Sequence, residues 1–229
     1  EHSLAKPTVA VLTPTPTPQH PPLKTDDDRA TTADADADAK QLQQLDESVP
    51  LQRERQHAEH EAKRLLRFDV VTNDSSHASL RTLIALKTIV SKQLPKMPRE
   101  YIVRLVLDRS HTSLACIYDG TVVGGVTYRR HASQSFAEIA FCAISATHQV
   151  RGYGTRLMNQ LKEHCKREKI HYLLTYADNH AIGYFRKQGF QKLVTMKRER
   201  WHGYIKDYEG GTLMECAIDN SVDYLTVRF

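Results

Sequence analysis

The sequence predicts an α/β or α+β domain around a mixed sheet, and three observations lead to this fold class. Asp119-Gly120 separates two β-rich runs, which is the pattern of an antiparallel hairpin. Residues 136–144, FAEIAFCAI, are apolar at both alternating sets of positions, as in a central strand covered on both faces. Strands and amphipathic helices follow one another along the rest of the chain, which favours helices packed on a sheet.

Local patterns predict the individual elements. Runs rich in apolar and β-branched residues predict strands at 68–72, 114–118, 122–128, 136–144, 171–177 and 212–218, with short strands after Gly189 and within 201–211. Apolar residues at helical spacing predict helices at 80–94, 101–108 and 178–188, and another that opens at residues 148–155. Asp178 or Asn179 is expected to cap the 178–188 helix.

Composition divides the 229 residues into two parts. Seven of the nine prolines fall in residues 1–50, whereas every glycine lies at or after Gly120 and every Phe, Trp and Tyr at or after Phe68. We therefore expect residues 1–50 to be a disordered, Pro- and Asp-rich tail and residues 51–66 to be a charged helix or linker. The chain has a net charge of +5, divided as −3 up to Arg67 and +8 beyond it, so the folded part is basic.

The sequence also disfavours several classes of protein. No apolar run approaches the roughly 18 residues of a membrane span, and the first residues do not resemble a secretory signal, so we expect a soluble protein without membrane partners. The four cysteines lie at least 23 residues apart, which predicts reduced thiols and neither a zinc module nor a disulfide framework. No metal site is expected. The sequence lacks the aromatic platform or Arg-rich stripe that would indicate nucleic-acid binding, so we expect no sequence-specific nucleic-acid partner.

Glu138 is the one charged residue in the 136–144 strand. Strict alternation places it on a face with Phe136, Ala140, Cys142 and Ile144. Burial disfavours the ionised carboxylate and raises its pKa toward the range of a general base. The strand alone leaves a second interpretation equally open, in which Glu138 is a structural carboxylate paired with a Lys or Arg.

A glycine-rich turn precedes the next helix. Glycines at a helix start allow free backbone N–H groups to approach a ligand, and together with the helix dipole and a nearby guanidinium they favour a phosphate site. The turn consists of Gln149, Val150, Arg151, Gly152, Tyr153, Gly154 and Thr155. An ordinary helix-entry turn would use the same residues, and the pattern matches neither a P-loop nor a dinucleotide fingerprint.

The order of these features resembles the GNAT acetyltransferase superfamily and, within it, the nuclear PCAF-type, general-control histone acetyltransferases. The resemblance covers residues 67–218 and rests on QLPKMPREYIVRLVLDRSH, VVGGVTYR, FAEIAFCAIS, QVRGYGTRLMNQLK, LTYADNHAIGYFRKQGF and GYIKDYEGGTLMEC. It implies a GNAT fold, with a mostly antiparallel sheet flanked by helices, and leaves 219–229 as a C-terminal extension. No bromodomain is expected within this chain.

The resemblance also implies roles for particular residues. Glu138 matches the general base. The backbone of Cys142, Ala143 and Ile144 matches the segment that binds the pantetheine arm of acetyl-CoA, residues 149–155 match the pyrophosphate loop, and Tyr184 and Phe185 match the helix along the cofactor. His180 stands beside the cofactor where close relatives carry a tyrosine. Tyr204, Asp207 and Tyr208 match one wall of the peptide groove.

The function that the resemblance implies is acetyl transfer from acetyl-CoA to lysines of histone tails, histone H3 in particular, by direct attack of the amine in a ternary complex. A nuclear coactivator with partner subunits is implied as well. Two alternatives stay open: a GNAT enzyme for a small amine, and a non-catalytic module that holds CoA and docks partners. An acetyl-carrying role for Cys142 is disfavoured because no activating His lies nearby in sequence.

A basic histone tail and a basic domain repel each other, so the peptide groove is expected to be locally acidic. Asp207, Glu209 and Glu215 are the acidic residues in and near the predicted groove.

Overall fold

The computed structural model describes residues 52–208 and 210–226, so the predicted tail, residues 1–50, lies outside the described residues. Helix α1 covers residues 52–62. The strands are β1 Leu66–Thr72, β2 His111–Tyr118, β3 Thr121–His131, β4 Phe136–Ile144, β5 Tyr172–Ala177 and β6 Thr212–Ala217. The remaining helices are α2 His77–Gln93, α3 Arg99–Val106, α4 Tyr153–Arg167, α5 Ile182–Lys187 and α6 Arg198–Trp201.

The strands form one six-stranded sheet in the order β1-β2-β3-β4-β5-β6. All neighbours are antiparallel except β4 and β5, which pair in parallel over Phe136–Ile139 and 172–175. The predicted hairpin joins β2 and β3, and both Asp119 (φ 47°) and Gly120 (φ 71°) adopt the positive φ that a tight hairpin turn requires. The predicted mixed, mostly antiparallel sheet flanked by helices is confirmed.

Helices cover both faces of the sheet and explain why β4 is apolar on both sides. Helices α2 and α3 bury Leu86, Ile102 and their neighbours against one face, where they meet Phe141. Helix α4 buries Leu157 and Leu161 against the other face. Ser76 caps α2 by accepting a hydrogen bond from the N–H of Ser79.

A β-bulge at Ala140 corrects the predicted alternation along β4. Thr127 pairs with Phe141 whereas Tyr128 pairs with Ile139, so Ala140 is the extra residue. The side chains beyond the bulge therefore change face: Cys142 lies with Ile139 on the α4 side. The prediction that Cys142 and Ile144 share a face with Glu138 is wrong for this reason.

Two predicted strands are also wrong. After Gly189 the described backbone forms only a single bridge, Gln191 with Glu215, and between Trp201 and Gly211 it forms a loop that follows the short helix α6. Asp178 behaves as the predicted cap in part. Its Oδ1 accepts from the N–H groups of His180 and Ala181 in the turn that precedes α5, whose helical residues begin at Ile182.

None of the helices within the described ranges has the length and apolar character needed to cross a membrane.

Candidate active site

A gap opens in the sheet where β4 and β5 separate. Pairing between them stops at Ile139, although β4 continues to Ile144 and β5 continues along β6 to Ala177. A cavity of about 440 Å³ lies at the far end of this gap, between the last residue of β4, the start of α4 and helix α5. The gap leaves one edge of β4 without a strand partner among the described residues, so its backbone is available to a ligand.

Backbone direction along β4 identifies the groups that face the gap. The N–H of Ser145 bonds to the carbonyl of Val123 on β3 at 2.8 Å, whereas the carbonyl of Ile144 accepts from the side-chain Nε2 of Gln149 at 3.0 Å. The N–H and C=O of one residue point the same way and alternate along a strand. Cys142 and Ile144 therefore direct their backbone N–H groups away from β3, toward the gap.

The start of α4 supplies further unpaired N–H groups. The first bond across this turn runs from the N–H of Arg156 to the carbonyl of Gly152 at 3.1 Å, which leaves the N–H groups of Tyr153, Gly154 and Thr155 without a partner inside the helix. Gly152, in the left-handed region at φ 82°, turns the chain into the helix. An anion at this end of α4 would gain both hydrogen bonds and the helix dipole.

The cavity brings together most of the residues predicted to bind the cofactor. The predicted residues in its walls are Ile144, Gln149, Val150, Tyr153, Gly154, His180 and Tyr184. Three further wall residues were not predicted from the sequence: His148, Gly183 and Lys187. The Tyr184 hydroxyl donates to the carbonyl of Gly154 at 2.9 Å and so ties α5 to the start of α4. Lys187 adds a cation at the mouth, which favours a polyanionic ligand.

Other predicted cofactor residues do not line the cavity. Phe185 is completely buried in the core, where its ring centroid lies 4.9 Å from that of Phe190. Thr155 faces Gln188, whose Nε2 donates to its hydroxyl at 3.2 Å. Arg151 lines a different cavity, between its loop and α1. The side chain of Ala143 lies on the α2 side of the sheet.

Cys142 is completely buried and its Sγ lies 3.7 Å from the Tyr184 hydroxyl. Burial raises the pKa of this thiol to about 12, so it is a neutral thiol at physiological pH. A group that stays protonated is a poor nucleophile, which supports a packing role.

We accordingly expect Cys142→Ala to keep turnover within a few-fold of that of the parent chain, because a buried thiol that stays protonated is a poor nucleophile. Steady-state acetyl transfer and a thermal melt check this together. A loss beyond 100-fold in a variant with an unchanged melting temperature would show that the sulfur takes part in the chemistry.

Glu138 lies near the other end of the gap in a part-buried position. Its cross-strand neighbour on β3 is Arg129, and Lys206 approaches from the loop after α6. Burial raises the pKa of Glu138 to about 7, and it outweighs both cations, whose charges act in the opposite direction. The structural-carboxylate interpretation calls for an ion pair, and neither cation forms one with Glu138 among residues 52–208 and 210–226.

Three phenols surround this carboxylate and were not identified from the sequence. The negative charge of Glu138 contributes to raising the pKa of Tyr101, Tyr176 and Tyr208, although burial is the main cause in each case. The hydroxyls of Tyr101 and Tyr208 hydrogen-bond to each other and join α3 to the loop after α6. Tyr176 packs against Tyr208 with ring centroids 5.3 Å apart. The carboxylate is therefore part-buried near three tyrosine side chains.

The predicted groove residues lie in this loop. Tyr208 is buried, Asp207 is exposed, and Tyr204 is 43% exposed with its hydroxyl accepting from Gln134 at 3.1 Å. Glu215 does not belong to a groove. It is completely buried and accepts hydrogen bonds from the N–H groups of residues 195 and 196, so its role is structural.

Asp207 is the exposed acidic residue that the structure describes in this loop, and the prediction for Glu209 lies outside the described residues. Within the ranges 52–208 and 210–226, no cluster of three or more His, Cys, Asp or Glu side chains could hold a metal ion.

Comparison with known proteins identifies the fold family. The acetyltransferase (GNAT) family model matches residues 78–190. The crystal structure of Tetrahymena GCN5 is 58% identical, with a TM-score of 0.67, and the match covers 69% of this chain and 99% of that one. The chain belongs to the GNAT acetyltransferase family. A GNAT catalytic domain of Tetrahymena GCN5 histone acetyltransferase in complex with coenzyme A matches at 58% identity, with a TM-score of 0.58, over 70% of this chain and 97% of that one.

Two curated relatives are named histone acetyltransferase GCN5. The one from Oryza sativa subsp. japonica is 56% identical over 168 residues, which are 73% of this chain and 33% of the relative. The one from Debaryomyces hansenii is 60% identical over 155 residues, which are 67% of this chain and 34% of the relative. The chain spans about a third of the length of these curated relatives.

Proposed function

We propose that this chain is the catalytic domain of a histone lysine acetyltransferase that uses acetyl-CoA as cosubstrate. The observation that carries the proposal is the part-buried carboxylate of Glu138, whose pKa is raised to about 7, near the start of a strand that leads to a cavity fit for an anion. Ile144 lies six positions after Glu138 along β4, or about 20 Å of strand. High identity to proteins named histone acetyltransferase GCN5 supports the substrate class.

Residues of the cavity fit the cosubstrate in charge and shape. The free N–H groups of Tyr153, Gly154 and Thr155 would hold the pyrophosphate, with Lys187 adding a positive charge. The exposed edge of β4 from Ala140 to Ile144 suits the amides of the pantetheine arm, which can bond as an added strand would. Bound there, acetyl-CoA supplies the thioester carbonyl that a lysine amine attacks.

Glu138 performs the proton transfer in this proposal. A lysine ammonium has a reference pKa of about 10.4 and is almost entirely protonated at neutral pH, so it must lose a proton before its nitrogen can attack. A carboxylate with a pKa near 7 accepts that proton at the pH at which the enzyme works. The N–C bond then forms, a backbone N–H of Cys142 or Ile144 stabilises the oxyanion, and the C–S bond breaks to release CoA.

A substitution at His180 tests whether the cavity is the acetyl-CoA site. It is exposed and lines the cavity at the place where close relatives carry a tyrosine. A phenol offers more apolar area than an imidazole, so His180→Tyr is expected to tighten acetyl-CoA binding by a few-fold. Calorimetric titration of acetyl-CoA into both proteins measures this, with His202→Tyr as a control at an exposed histidine outside the cavity. Equal affinities of the two His180 forms would remove this residue from the site.

Finer parts of the proposal concern the biological setting. We assign histone H3 as the preferred substrate, a ternary complex as the reacting species, and a nuclear coactivator with partner subunits as the context. The loop that carries Tyr204, Asp207 and Tyr208 lies beside Glu138 and is the proposed wall of the peptide groove. The exposed Asp207 supplies a local negative charge for a basic peptide.

A labelled acetylation assay tests the proposal against its alternatives. The chain is incubated with isotope-labelled acetyl-CoA and either core histones or a polyamine, and products are read by mass spectrometry. We expect lysine acetylation on histone tails, with H3 modified first, and little polyamine product. Preferred polyamine acetylation would support the small-amine alternative, and CoA binding without turnover would support the docking module.

A further inference from the structure

A second cavity, of about 340 Å³, lies behind the loop of residues 149–152, on the side that faces α1. One stripe of α1 forms its outer wall, with Arg53, Gln56, His57 and His60 at helical spacing. Tyr118 and Arg151 form parts of the opposite wall. The acetyl-CoA site proposed above does not use these α1 residues.

The walls of this cavity carry positive charge and hydrogen-bond donors. Neither Arg53 nor Arg151 forms an ion pair with any acidic residue within 52–208 and 210–226. The nearby Glu61 is already occupied, because Arg156 Nε binds its Oε1 at 2.6 Å and Arg156 Nη2 binds its Oε2 at 3.1 Å. The buried Nδ1 of His60 has no hydrogen-bond partner among the described residues.

Contacts between α1 and the loop hold these walls in place. His57 Nε2 donates to the carbonyl of Arg151 at 2.9 Å, and its ring lies 5.1 Å from that of Tyr153. A Cβ placed on Gly152 would lie 2.9 Å from His57 Cε1, so the helix approaches as closely as a glycine allows. The Glu61–Arg156 ion pair fastens the same helix to α4. A cavity with fixed walls binds a ligand without first ordering them.

We propose that this cavity is a second anion site that binds a phosphate group. Two guanidinium groups, the His60 imidazole and a side-chain amide suit the oxygens of a dianionic phosphomonoester, and nothing acidic among the described lining residues of the cavity opposes one. Either the 3′-phosphate of CoA or the phosphate of a separate ligand can supply this group. This proposal rests on the geometry of α1 and the loop of residues 149–152, so it does not depend on the proposed acetyltransferase activity.

Nuclear magnetic resonance of the imidazole rings tests the site directly. Inorganic phosphate is titrated into the full chain while the ring signals of His57 and His60 are followed, and we expect a saturable shift of both. Arg53→Ala should weaken this binding at least about tenfold, because it removes a charge-assisted bond. Arg55→Ala, an equal loss of charge at an exposed position of the same helix outside the cavity, should change it less than about twofold.

Loading the protein with CoA or dephospho-CoA distinguishes the two sources. If CoA itself supplies the phosphate, CoA shifts both ring signals and blocks the titration, whereas dephospho-CoA does neither. If a separate ligand supplies it, inorganic phosphate binds equally in both complexes. Unshifted ring signals in the titration, or equal effects of Arg53→Ala and Arg55→Ala, would overturn the site, whether or not the chain acetylates histones.

Discussion

Turnover of a histone H3 peptide is expected to fall by roughly 10²–10⁴ when Glu138 is replaced by glutamine, measured at pH 7.5 with saturating acetyl-CoA. Glutamine keeps the shape of the side chain but cannot accept the proton of the lysine ammonium. The carboxylate lies outside the cavity proposed for the cosubstrate. Affinity for acetyl-CoA, measured by calorimetry, should therefore stay within about twofold.

Stability distinguishes a lost base from a damaged fold. Folding raises the pKa of Glu138 from 4.5 to about 7, so the folded state favours the protonated form. The stability that this preference contributes is present below pH 4.5 and is lost as pH rises through 7. Glu138→Gln should therefore melt at the same or a higher temperature than the parent chain at pH 8. Glu100→Gln, at an exposed position on α3, is the matched control and should leave turnover unchanged.

Phe185→Ala is expected to lower the free energy of unfolding by about 3–5 kcal/mol. The resemblance places this residue beside the cofactor, but the structure places its ring in the core between Phe190 and Tyr184. Removal of the ring, which is itself completely buried, leaves a cavity beside the buried Phe190. Chemical denaturation followed by circular dichroism measures the loss.

Phe185→Leu is the companion variant, since it keeps most of the buried volume and should lose much less stability. In this folded variant the Michaelis constant for acetyl-CoA should change less than about twofold. A rise of tenfold or more with little loss of stability would place Phe185 at the cofactor after all.

The parts of the fold that could be predicted depend on local signals. Strand β4 was predicted with its observed bounds, because its apolar run begins and ends beside polar turn residues. The hairpin at Asp119-Gly120 was predictable because few residue types tolerate two successive positive φ values. The bulge at Ala140 was not, since a small apolar residue suits either face and no change of polarity marks the shift of register.

The candidate site was predictable where its residues are adjacent in sequence, as in the loop of residues 149–155. It was not predictable where distant elements meet. Tyr101 reaches Glu138 from α3, and its place in an amphipathic helix looked like ordinary packing. Glu215 looked like a groove acid because it is acidic and lies close in sequence to the predicted groove residues. The N–H groups of residues 195 and 196 that satisfy it could not be inferred from their sequence.

The pH–rate profiles of the parent chain and Glu138→Gln distinguish a general base from a structural carboxylate. In the parent chain Glu138 removes the proton of the bound lysine ammonium, whereas the variant depends on free amine, which increases about tenfold per pH unit between pH 5.5 and 8.5. We expect the kcat/KM of the parent chain to rise about tenfold per pH unit below 7 and to become constant above it, so the ratio of parent to variant is constant below pH 7 and falls above it, as a base with a pKa of about 7 requires. A ratio that stays constant over the whole range would contradict the assignment of Glu138 as the general base.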